Sequence, residues 1–185
     1  MEIDSNTHVE AIILPKKTIF QLISLLEQSS DVVKISNNKS KIKFEMNNGV
    51  LISKVIDGRF PDYNKVIPKD NNKTLEIKLN EFKNSIERVT TVSSDRKEGL
   101  KMSITKDSVQ LSVNNPNSGD AIENINAKFN SNDLNISFNS RYLTDIASQI
   151  ENESIIINLK EPGSPVLIKD FSDKNSFHVV MPMKI

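Results

Sequence analysis

The groups able to do chemistry in this 185-residue chain are two histidines, His8 and His178, a scatter of carboxylates and many hydroxyls. There is no cysteine, so disulfides, thiolate metal sites and thiol nucleophiles are excluded. Neither histidine belongs to an HExxH or comparable ligand spacing, and His178 stands in FHVVMP, where a strand would turn it outward. Asp57 and Asp62 are the nearest thing to a pair of carboxylates for acid and base work, but Asp57 precedes Gly58 and reads as a turn residue. The five glycines form no GxGxxG or Walker pattern, so nucleotide phosphates have no cradle of backbone amides. Serines and threonines are plentiful without a partnered base. These residues describe a non-enzymatic binding module, with no metal or cofactor implied.

Two stretches suit binding better than catalysis. Residues 57–73, DGRFPDYNKVIPKDNNK, hold aromatics and prolines without periodicity. They form either a packed linker or a loop that lines a site. The C-terminal VVMPMKI is large and apolar where chain ends are usually polar. It is either a last strand folding back on the core or the floor of an exposed groove beside Pro182 that accepts a partner peptide.

Charge narrows the partners. Twenty-four basic residues balance 24 acidic ones, so no global field draws the chain to nucleic acid or to an acidic membrane. Weak contact with DNA phosphates would have to come from local helix faces. No apolar run approaches the ~20 residues of a membrane helix. The start MEIDSNTH lacks the basic-then-apolar pattern of a leader. A soluble cytoplasmic protein is the expectation.

The elements that must position these residues repeat. Strict alternation marks half-buried antiparallel strands at Ile42-Phe44-Met46, Leu75-Ile77-Leu79, Leu100-Met102-Ile104, Val109-Leu111-Val113, Leu134-Ile136-Phe138 and Ile155-Ile157-Leu159. Three segments switch to helical spacing. One opens at Pro15 with Ile19, Leu22, Ile23 and Leu26 on one face. The second has Asn80 as its expected cap, then Phe82, Ile86 and Val89. The third is capped by Asn139 and carries Leu143, Ile146, Ala147 and Ile150. Each helix follows a strand and precedes roughly three more. With junctions about 60 residues apart, the pattern predicts three β-α-β-β-β units. The expected class is α+β with repeated units, and the domain boundary is expected near Pro68, giving residues 1–68 and 69–185.

The segments SKVIDGRFPDYNKVIPK (53–69), SVNNPNSGDA (112–121), ISFNSRYLTDI (136–146), SPVLI (164–168) and VVMPMKI (179–185) together resemble the bacterial DNA polymerase III beta subunit family, the sliding clamps. The resemblance implies a DNA-clamp fold with antiparallel sheets outside and helices on an inner face. It makes residues 1–68 the second half of a middle domain and 69–185 a complete C-terminal domain. It further implies a non-catalytic processivity factor that tethers polymerase in DNA replication. Full-length members of the family close head to tail as a homodimer around duplex DNA, held weakly and without regard to sequence. Here the DNA-channel candidates are Lys16, Lys17, Lys83, Arg88, Arg96 and Arg141.

The same resemblance implies a groove for short peptide motifs of the clamp loader, repair proteins and the DNA polymerase III catalytic subunit. Its walls would be Pro61, Lys65 and Val66 from the linker, with Asn139 and Tyr142 at the third helix. Gly163 and Pro165 come from a turn, and Val179, Val180, Met181, Pro182, Met183 and Lys184 from the C-terminal segment. The alternative function is a free-standing peptide-binding or decoy fragment that never encircles DNA. A half-domain without its mate is also expected to expose a sheet edge and apolar helix residues, so residues 1–66 could pair with a second copy.

Overall fold

The computed structural model describes residues 11–27, 32–38, 40–47, 49–93, 99–171 and 176–184. His8 and Arg96 lie outside them. The chain divides into two compact units, residues 1–61 and 62–185. The division falls before Pro68 because the linker from Asp62 onward is tied to the second unit. The side-chain amide of Asn71 donates to the carbonyls of Asn158 and Pro165, both at 2.9 Å.

The first unit holds α1 (Lys16–Leu26) and an antiparallel sheet of β1 (Lys34–Asn37), β2 (Lys41–Met46) and β3 (Gly49–Lys54), in that order. Pro15 takes the helix N-cap position in extended backbone, and its carbonyl accepts the Thr18 amide at 2.9 Å. Alternation in β2 buries Ile42, Phe44 and Met46. Leu22, Leu25 and Leu26 of α1 pack against them with Ile12 and Leu14. The expected single apolar face of α1 therefore splits: Leu22 and Leu26 join the core, whereas Ile19 and Ile23 stay exposed. The segment before α1 closes onto the end of the sheet, with the Ile56 amide donating to the Ile13 carbonyl at 2.9 Å.

The second unit contains β4 (Lys73–Lys78), α2 (Leu79–Val89), β5 (Gly99–Ile104), β6 (Ser108–Asn115), β7 (Gly119–Phe129), β8 (Leu134–Asn139), α3 (Ser140–Ala147), β9 (Ser154–Leu159), β10 (Val166–Asp170) and β11 (Phe177–Val180). The β-α-β-β-β pattern thus occurs twice. The halves exchange leading strands: the hydrogen-bonded row runs β11-β10-β9-β4-β7-β6-β5-β8, every pair antiparallel. β7 is long enough to serve two neighbours, pairing β6 through Gly119–Asn126 and β4 through Ala127–Phe129. One continuous core lies between the strands and both helices, with Phe82, Ile86, Phe138, Leu143 and Ile157 almost fully enclosed.

Helix starts differ in their caps. Asn139 caps α3 as expected, its Oδ1 accepting the Arg141 amide at 3.0 Å. Asn80 does not cap α2; it sits inside the first turn, with Lys78 at the cap position. The Leu79 amide donates to the Glu153 carbonyl at 2.8 Å, continuing the β4·β9 seam into the first helical residue. Among the described residues, no helix is long and apolar enough to cross a membrane.

Candidate functional site

The linker after Pro61, which ends the first unit, is shaped by its own side chains. Asp62 Oδ1 accepts the Asn64 amide at 3.1 Å and starts a single 3-10 turn, Tyr63–Lys65. From there the chain runs along the second unit to β4. Val66, Ile67 and Pro68 form one side of a recess of about 530 Å³, and Pro165, Val179 and Met181 form the other. Lys65, Lys69, Asp70 and Lys160 add charge, with Lys160 Nζ 3.8 Å from Asp70. Val66 and Met181 are 57% and 61% exposed, so this apolar lining is open to a ligand.

Strand alternation decides which C-terminal residues face the recess. In β11, Val179 lines it, while Val180 turns the other way into the core. After β11 the chain extends along β8, and the Met183 amide donates to the Ser137 carbonyl at 2.7 Å. This places Met183 and Lys184 beside Gly163, Pro162 and Lys101 in a second recess of about 510 Å³. Of the residues expected for a peptide groove, Lys65, Val66, Pro165, Val179 and Met181 share the first recess, and Gly163, Met183 and Lys184 the second. Asn139 and Tyr142 line neither; Asn139 is occupied with capping, and Tyr142 is exposed on α3. Pro182 is partly buried between the two methionines.

Sequence reasoning missed Ile67, Pro68, Lys69, Asp70, Asn71, Lys160 and Ser164. The linker members adjoin residues already named, so continuity could have found them. Lys160 carries no local signal, because only the seam between β4 and β9 brings the end of β9 to the linker.

The expected DNA-facing cations divide between the two units, Lys16 and Lys17 in the first and Lys83, Arg88 and Arg141 in the second. Arg141 on α3 lies 3.9 Å from Asp145 and joins Glu87 and Thr91 of the α2 side in a polar cleft of about 510 Å³. Lys83 lies on α2. Lys16 Nζ sits 5.3 Å from the Phe20 ring centre, and Lys17 is exposed next to it. Arg88 is engaged with β7. Its Nε donates to both Glu123 carboxylate oxygens at 3.0 Å, its Nη2 bonds the same carboxylate, and Nη2 also reaches Ser85 Oγ at 3.1 Å. Hydrogen bonding by Arg88 holds the Glu123 carboxyl below the usual carboxylate range, and the carboxylate in turn raises the guanidinium.

Known proteins share this arrangement. The family model for the C-terminal domain of the DNA polymerase III beta subunit matches residues 64–184, and the model for the central domain matches residues 1–62. The beta sliding clamp of Caulobacter vibrioides NA1000 is 33% identical over 177 residues, 96% of this chain and 48% of that protein. The beta sliding clamp of Escherichia coli K12 is 26% identical over 185 residues, 100% of this chain and 50% of that protein. Among solved structures, the Caulobacter crescentus sliding clamp covers the whole chain and 50% of its own at 32% identity and TM-score 0.93. A Bartonella birtlesii clamp bound to griselimycin aligns at 37% identity and TM-score 0.89, covering 94% of this chain and 47% of its own. This chain spans about half the length of the curated relatives it matches. With both domain models matched in order along one chain, it belongs to the DNA polymerase III beta subunit family, the beta sliding clamps.

Proposed function

We propose that this chain serves as the peptide-docking portion of a sliding clamp, a non-catalytic processivity factor of DNA replication. The observation that carries the reading is the open apolar recess of Val66, Pro68, Pro165, Val179 and Met181, with Met183 lining a second recess. Short motifs of the clamp loader, repair proteins and the DNA polymerase III catalytic subunit would seat an apolar anchor there. Burying a Leu or Phe side chain contributes about 1.5–3 kcal/mol, which suits partners that must exchange. Flexible methionine side chains let one floor accept varied anchors. Duplex DNA is the second partner, enclosed by a ring of which this chain is part and touched by the exposed polar faces of the helices. Balanced charge, and the commitment of Arg88 to Glu123, favour a loose hold that permits sliding.

Fluorescence anisotropy of a labelled Gln-Leu-Ser-Leu-Phe pentapeptide tests the docking. Saturable binding that Met181→Ala with Pro182→Ala weakens at least about tenfold, 1.4 kcal/mol, supports it. Full-strength binding by that variant refutes the assignment of the recess.

A further inference from the structure

We propose that the second recess reads an acidic residue on the peptide that docks in the first; this deepens the docking reading and rests on it. The recess is built within the second unit, from β5, β8, the turn at Pro162 and Gly163, and the tail. Strand alternation sends Leu100, Met102 and Ile104 of β5 and Leu134, Ile136 and Phe138 of β8 into the core. Lys101 and Ser103, with Asn135 and Ser137, are left on the opposite face. The register sets Lys101 across from Ser137 and Ser103 across from Asn135. Residues so opposed have Cβ atoms about 4.5–5.5 Å apart, so the lysine stem stands beside the serine. Lys184 enters from the tail, which the Met183 amide fastens to the Ser137 carbonyl. Among the described residues no carboxylate side chain lines the recess, and neither lysine is ion-paired.

Ser137 distinguishes this recess from a pair of solvated lysines. It is only 7% exposed and borders the recess, yet among the described residues its hydroxyl has no hydrogen-bond partner. Buried hydroxyls are normally bonded, because an unmet one carries its full desolvation cost. Asn135 adds a further donor: its Oδ1 accepts from the Ser103 hydroxyl at 2.7 Å, so its NH2 remains to donate. A hydroxyl, an amide NH2 and two ammonium groups together select an anion. A carboxylate carried by the docking peptide fits the layout. Met181 lines the first recess and Met183 the second, two positions apart in an extended tail, or about 7 Å. A peptide lying along that tail with its apolar anchor against Met181 brings a side chain two or three residues away to Lys101 and Ser137.

Fluorescence anisotropy with labelled relatives of Gln-Leu-Ser-Leu-Phe tests it. One glutamate is placed before the first leucine, between the leucines or after the phenylalanine, and each peptide is compared with its glutamine counterpart at low salt. The expected result is a position at which glutamate binds about fivefold tighter than glutamine, the scale of a partly exposed charge pair. Lys101→Met should abolish that preference, and Lys101→Glu should invert it. Ser137→Ala should narrow it while leaving stability to urea unchanged or higher, since it removes an unpaired buried hydroxyl. Equal affinities at every position, a preference indifferent to Lys101, or a loss of stability in Ser137→Ala would overturn the proposal. With docking intact these results leave the first recess standing, whereas no binding by any peptide refutes the docking reading and this one with it. Inorganic phosphate that shifts the Lys101 and Ser137 amide resonances as strongly as the glutamate peptide would make the recess a site for free anions and overturn the peptide source.

Discussion

The Met183 amide donates to the Ser137 carbonyl at 2.7 Å, and this bond joins the two ends of an eight-strand row. Ser137 lies in β8, the last strand of that row, and Met183 follows β11, the first. The tail that supplies the methionines of the candidate groove is therefore also part of the fold. Met183→Pro removes the donor and should lower the stability of the second unit by about 0.5–1.5 kcal/mol. Met183→Ala keeps the amide and removes an exposed side chain, so its stability should stay close to that of the parent. Urea denaturation of both variants checks the contrast.

Helix caps offer a sharper comparison. Asn139→Ala should cost about 1 kcal/mol, because its side chain satisfies the Arg141 amide. Asn80→Ala should be neutral or slightly stabilising, since Asn80 is exposed within the first turn of α2 and alanine favours helix. Thermal denaturation of the two variants distinguishes them. Equal losses would mean that the two helix starts are built alike.

The Arg88–Glu123 pair sets a pH dependence. Glu123 has a lower pKa folded than unfolded, chiefly through its hydrogen bond from Arg88. The unfolded chain therefore binds that proton more readily, and the pair's contribution is present above the ordinary carboxylate range. It is lost as pH falls through the depressed folded value. Carboxyl-carbon NMR should show Glu123 titrating below typical glutamates, and Arg88→Ala should move the midpoint upward. An unchanged midpoint would refute the cause.

Core size separates the units. Phe82 is fully enclosed in the large core of the second unit, so Phe82→Ala should cost about 3–5 kcal/mol. The small core of the first unit rests on Ile42, Phe44 and Met46, so that unit should melt first, unaffected by Phe82→Ala. Calorimetry of the parent and variant checks both statements.

Much of this fold was legible in the sequence because alternation and helical spacing report directly on one-sided burial. Leu100, Met102 and Ile104, or Val109, Leu111 and Val113, are buried as their spacing predicts. What stayed hidden depends on partners distant in sequence. Asn80 has cap chemistry, yet the helix starts earlier, with Lys78 at the cap position, where β4 pairs with β9. Ile19 and Leu22 share an apolar helix spacing, but only Leu22 reaches the sheet of its own unit. The recess was half visible: Val66, Val179 and Met181 stand in two unusual stretches, while Lys160 arrives only through strand pairing.

The most direct measurement is a residue-by-residue map of peptide docking. Amide NMR spectra of the chain titrated with unlabelled Gln-Leu-Ser-Leu-Phe should shift Lys65, Val66, Asn71, Val179, Met181 and Met183 together, saturating along one curve. Shifts confined to other surfaces, or none at all, would contradict the assignment of this recess as the place where a clamp partner binds.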